Sequence, residues 1–220
     1  MKLAAKVPGR DSQPAVRGRP ITDAIRAQIV DELPEINEIG DTDLRAKVIE
    51  AWALSLTGSS FASLRDMQAC GVPGDLEAKS GDQTDHFRGV ARLALQMGDD
   101  FIRNFPGIDI DRDLLLAGAL CHDIGKCWEF DPENRTRWTN SRHTGRPSLR
   151  HPAYGAHICL TVGLPEGVCH MAAAHSKEGE MVQRSIENTI VAAVDHAYWM
   201  VLAAGDYLVD ATLPAHLRNS

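Results

Sequence analysis

A chain of 220 residues is long enough for one domain with a sizeable core and a small N-terminal addition. Hydrophobic residues make up 44% and charged residues 24%, and the net charge of −7 argues against a main role on nucleic-acid polymers or acidic membranes, whose phosphates require a surplus of Lys and Arg. The five cysteines, Cys70, Cys121, Cys127, Cys159 and Cys169, are odd in number and lack a C-x-x-C pair, which points to reduced thiols and away from a disulfide framework or a thiolate zinc site.

Residues 1–20 carry Pro8, Pro14, Pro20, Gly9, Gly18 and the basic Arg10, Arg17 and Arg19 without apolar periodicity, and a mobile or loosely docked arm is expected there. The arm lacks the basic, apolar and small-residue sequence of a secretion signal, and no run reaches the roughly 18 apolar residues of a membrane span, so a cytoplasmic protein is expected. A helical extension follows over 21–84. Ala24, Ile25, Ile29 and Val30 fall at helical spacing behind Thr22, and Leu44, Val48 and Ala51 do the same behind Asp41 or Thr42. Apolar surface on these two helices is compatible with a homodimer and equally with a docked monomer. The stretch Ser63 to Asp82 is rich in Gly and Asp and reads as an irregular connection.

The principal domain is expected over 85–205, with a weakly patterned tail over 206–220. Asp85 opens a long amphipathic helix whose apolar face carries His86, Val90, Leu93, Ala94, Met97 and Phe101. Asp111 or Asp113 caps a nearly unbroken apolar run, LLLAGALCHDIGK (Leu114 to Lys126), which Gly125 should stop. Asp131-Pro132-Glu133-Asn134 is turn chemistry, so the flanking residues Trp128 to Trp138 could form a short hairpin. Helices are then expected from His151-Pro152, from Leu164-Pro165 to His175, and from Ser185 across Asp195.

Six polar residues interrupt these apolar stripes: His86, His122, Asp123, His151, His175 and Asp195. Burying an imidazole beside a carboxylate is unfavourable unless something pairs with both, and a metal ion does so. Imidazole and carboxylate donors without thiolates suit Fe, Mn, Zn, Co or Mg. Six donors exceed the four of a closed zinc site and, with one carboxylate bridging, match two divalent ions about 3.5–4 Å apart.

The order H…HD…H…H…D, with HDIGK as its most specific part, resembles the HD superfamily of metal-dependent phosphohydrolases over roughly Asp85 to Met200. The resemblance implies an all-α helical bundle. It also implies that His86, His122, Asp123 and Asp195 bind one metal while Asp123 bridges to a second held by His151 and His175. The longer ligand set is similar to that of dinuclear members, which include cyclic-dinucleotide phosphodiesterases, dinucleoside polyphosphate hydrolases and diiron oxygenases related to myo-inositol oxygenase. The Gly-Tyr-Pro signature of the cyclic-di-GMP branch is absent. His143, His157, His170, His196 and His216 have no matching position; of these, His196 neighbours Asp195.

Two divalent ions and two aspartates leave a centre of about +2, which favours an anionic, phosphorylated small-molecule substrate and a metal-bound hydroxide as nucleophile. Lys126, one turn beyond Asp123, is expected to orient a substrate oxygen or stabilise developing charge. Arg142, Arg146, Arg150 and Lys177 are the further candidates for substrate binding. A diiron oxygenase and a non-catalytic ligand-binding module are the alternatives that this pattern leaves open.

Overall fold

A computed structural model describes residues 18–138 and 141–214; most of the expected arm and His216 lie outside them. The first helices are α1 (Asp23–Glu32) and α2 (Thr42–Thr57), joined by a 3-10 turn over Pro34–Glu38. Each starts where a side chain satisfies the first free N–H groups: Thr22 Oγ1 accepts from Ile25, and Asp41 accepts from Asp43 and Leu44. Ile29, Leu33, Val48 and Trp52 then enter the same buried cluster as Val90, Leu116 and Ile124 further along the chain. Glu35, almost fully buried, accepts from Arg88 at 3.0 Å and Arg92 at 2.7 Å, which fastens this N-terminal segment to the next long helix.

The stretch expected to be irregular holds the chain's hairpin. Strands β1 (Gln68–Val72) and β2 (Asp75–Asp82) pair antiparallel, with Cys70 opposite Glu77 and Val72 opposite Asp75. Pro73-Gly74 closes it, and Gly74 supplies the positive φ that the turn needs. Strand β1 does not alternate apolar and polar residues, and β2 does so only from Asp75 to Lys79 before its Ser-Gly-Asp end, so the signal that marks half-buried strands was short. The tail docks on β2: Ala78 forms a bridge with Leu208, and Leu208 packs with Ala69, Ala78 and Trp199 in a second small core.

Helix α3 (Gln83–Asn104) begins with a capping box formed by Asp82 and Asp85. Asp111 caps α4 (Arg112–Cys121) by accepting from Leu114. This helix ends short of Gly125; residues 122–125 form a turn, and α5 (Lys126–Glu129) restarts beyond it. The end of α5 and helix α6 (Pro132–Arg137) occupy the place where a hairpin was expected, and the short α7 (Ser141–Thr144) follows. Asp131 accepts from Glu133 and Asn134 and Pro132 stands in the first turn, so the residues that read as a reverse turn serve as a helix start.

Helices α8 (His151–Thr161), α9 (Glu166–Ala174) and α10 (Ile186–Ala204) complete a mostly helical bundle with α3 and α4. Gly118 allows α4 and α9 to meet, since a Cβ there would lie 1.9 Å from the Met171 methyl carbon. Among the described residues, no helix is long and apolar enough to cross a membrane.

Candidate metal centre

The bundle brings together side chains from five separate places in the chain. His86 lies in the first turn of α3, His122 and Asp123 in the turn after α4, His151 at the first position of α8, His175 just past α9, and Asp195 within α10. All are buried except Asp195, whose side chain is 20% exposed and forms the open edge. Backbone contacts set the turn that carries His122 and Asp123. Ser55 Oγ of α2 donates to the Ile124 carbonyl at 2.6 Å. A Cβ on Gly125 would lie 2.1 Å from the His151 carbonyl oxygen, so only glycine lets this turn meet the start of α8.

Asp123 stands at the centre and presents its two oxygens to different groups. Oδ2 lies 3.1 Å from His86 Nε2 and 3.2 Å from His122 Nε2; Oδ1 lies 3.2 Å from His151 Nε2 and 3.5 Å from His175 Nε2. Asp195 Oδ1 joins the first group, 3.2 Å from His86 Nε2. Two sets of donor atoms therefore converge, His86 with His122, Asp123 and Asp195, and Asp123 with His151 and His175; each could hold a metal ion.

The tautomers support that use. His122 Nδ1 donates to the Ala119 carbonyl at 2.7 Å, and His175 Nδ1 donates to those of Met171 at 3.0 Å and Ala172 at 3.2 Å. His151 Nδ1 donates to Glu129, whose Oε2 also accepts the His151 backbone N–H at 2.8 Å. With Nδ1 committed as donor, a neutral imidazole offers only a lone pair at Nε2. Three such lone pairs face the carboxylate of Asp123, a repulsive arrangement that a cation between them would make attractive. The donor set fits divalent ions.

Ionisation points the same way. Burial pushes the Asp123 carboxyl up, but neighbouring groups, Lys126 foremost, outweigh it and hold the group well below its ordinary value. Burial lowers His151 below its usual value of 6.5 despite the neighbouring Asp123 and Glu129, which keeps it neutral as a ligand must be. Glu129 is held below 4.5, because the bonds from His151 overcome the cost of burial. This glutamate escaped the sequence reading: it sits in Trp-Glu-Phe, which looked like a strand, and only its place beside the HD turn could have marked it.

Lys126 is buried, with Nζ donating to Asp123 Oδ2 at 2.7 Å and to the Cys70 carbonyl of β1 at 3.1 Å. Two of its three hydrogens thus serve the protein itself, a commitment not foreseen for a substrate-facing lysine. It also lines a cavity of about 730 Å³ that opens from Asp123, His151, His175 and Asp195. Arg150, Lys177 and His196 line this cavity too; Arg146 lines a neighbouring cleft. Arg142 is exposed on α7 and lines neither; none of the four residues of that short helix is buried. His170 has a structural use, with Nε2 accepting the Ser185 N–H at 3.2 Å where α10 begins. Sequence reasoning also missed Trp199, whose ring packs 4.8 Å from that of His86, and Arg184, which donates to the Ala174 and Ser176 carbonyls beneath the cavity wall.

A helical bundle with an HD turn at its heart and imidazoles converging on the aspartate defines a class of metal-binding domain. The model of the HD domain family matches residues 84–200, more than half of the chain, and the protein belongs to that family, whose members are mostly metal-dependent hydrolases. No curated protein and no solved structure matches the chain.

Proposed function

We propose that this protein is a phosphohydrolase that cleaves a phosphate ester or anhydride of a small molecule or nucleotide at a dinuclear metal centre. The observation that carries the reading is the division of Asp123, one oxygen toward each donor group. His86, His122, Asp123 and Asp195 would hold one ion, and Asp123, His151 and His175 the other, drawn from Fe, Mn, Zn, Co or Mg. When bound, two divalent ions polarise phosphoryl oxygens and bring the pKa of water toward neutrality.

The chain's own residues supply the rest. Four acidic and four basic side chains line the main cavity, so the protein alone is electrically balanced there and its preference for an anion depends on the ions it binds. Arg150 and Lys177 stand at the wall where a phosphoryl oxygen would be oriented, and Lys126 keeps a third hydrogen for it. The helices exclude bulk water from the floor, where His86, His122 and Asp123 are buried.

Metal analysis of anaerobically purified protein, followed by a screen of phosphorylated metabolites for phosphate release, tests the proposal. His122→Ala and Asp123→Ala are expected to lose bound metal and phosphate release together; retention of both would overturn it. Iron with oxygen uptake on a polyol would replace this reading with an oxygenase, and a fully loaded protein without turnover would replace it with a binding module.

A further inference from the structure

Beside the main cavity lies a cleft of about 270 Å³, and the two share Val72 and Arg150 in their walls. Its other lining residues are Pro73, Glu129, Arg135, Trp138, Arg146 and Pro147. Three arginines and one glutamate thus line the cleft, in a chain whose overall charge is −7.

The partners of these groups sharpen the imbalance. Glu129 is occupied by His151. Arg150 is partly neutralised, with Nε 3.2 Å from Glu178 and Nη1 3.9 Å from Glu129. Arg137, on the same helix as Arg135, is used differently: it donates to Asn134 and lies over the Trp128 ring at 5.5 Å. Among the described residues, Arg135 and Arg146 have no carboxylate partner. An anion received in the cleft would offset the like charge of these arginines, whose fork geometry suits phosphate and carboxylate oxygens. Unlike the main cavity, this cleft is basic before any metal binds.

We infer that the cleft is a second anion subsite, and that the substrate carries, besides the scissile phosphoryl group, a second phosphate or carboxylate that Arg135, Arg146 and Arg150 receive. The inference rests on the phosphohydrolase reading for its first group and on the cleft for its second. Trp138, Pro73 and Pro147 give the cleft flat apolar walls that suit the short carbon chain or ring joining the two anions.

Calorimetric titration of the metal-loaded protein tests this, with alkylphosphonates as single-anion probes, and with alkane α,ω-bisphosphonates and ω-carboxyalkylphosphonates of increasing length as double-anion probes. At the matching length a double-anion probe is expected to bind roughly tenfold or more tightly than the single-anion probe. Preference between the two double-anion series identifies the second group as phosphate or carboxylate. In R135Q/R146Q, which changes two exposed side chains, the ratio should fall to near one. A wild-type ratio near one at every length, or the full ratio retained in the double variant, would overturn the inference and leave the phosphohydrolase reading intact. Failure of all phosphonates to bind would overturn both.

Discussion

Glu129 shows how much of this centre depends on a residue that faces it from behind. Its carboxylate accepts both the backbone N–H and Nδ1–H of His151, which fixes the ring and leaves Nε2 toward Asp123. Glu129→Gln keeps the size but removes the charge, and metal affinity is expected to fall about ten- to a hundredfold, as read by competition with a chelator. Unchanged affinity would remove Glu129 from the account. The same pair sets a pH dependence. Both folded pKa values lie below their ordinary ones, so the unfolded chain binds more protons and stability rises with pH. The His151 contribution is present above 6.5 and is lost as pH falls toward its folded value; that of Glu129 is present above 4.5 and is lost in turn. Denaturation midpoints of the chelated protein should therefore drop on acidification from about pH 7 to about pH 5. A flat profile would contradict these directions. Lys126→Met should retain the metals and lower turnover by about tenfold or more, since it removes a positive charge beside the reacting centre. Loss of metal instead would make Lys126 a scaffold residue.

Among the elements, the junction between the HD turn and α8 is the tightest. Gly125 meets the His151 carbonyl and the Gly155 N–H so closely that a methyl group would overlap backbone on both sides. Gly125→Ala is expected to cost about 3 kcal/mol, measured by urea denaturation, because backbone cannot rotate aside as a side chain can. Wild-type stability would mean that α8 can move, and His151 with it. The elements also show where sequence patterns lose their meaning. Capping residues located α1, α2, α4 and α10, because Thr22, Asp41, Asp111 and Ser185 each accept from the first turn of a helix, whereas α3 starts at Gln83 behind Asp82, ahead of the Asp85 expected to open it. Asp131-Pro132 serves a turn and a helix start equally well, so the segment after the HD turn was misread as a hairpin. The actual hairpin was hidden because its apolar face is small, Ala69, Leu76 and Ala78, and is completed by the distant tail through Leu208.

At the scale of the whole molecule, the six proposed donors were legible because each interrupts an apolar helical stripe, a local signal that survives without knowledge of the fold. Of the arginine cleft only Arg146 and Arg150 were, and Glu129 and the Cys70 carbonyl were not. They owe their roles to contacts across the chain, such as the 56 positions that separate Lys126 from Cys70, and a main-chain oxygen has no signature in sequence. The reading of reduced cysteines acquires a physical basis in the same way. All five are free and buried, and burial pushes the thiols of Cys70 and Cys127 up to about 12 and that of Cys169 to about 11. The folded protein is expected to react slowly with a thiol reagent at about pH 8 and to release five equivalents once denatured. Rapid labelling of the native state would show that the bundle opens.

The hairpin tip lies outside the residues matched to the family, yet Gly71, Val72, Asp75 and Leu76 roof the cavity. Its tether to the floor is the Cys70 carbonyl, an atom that every amino acid provides. Selectivity and ion capture are therefore separable in this architecture: exchanging the loop around Pro73-Gly74 should redirect which molecules are accepted, while the donors, all carried by the bundle beneath, keep their places.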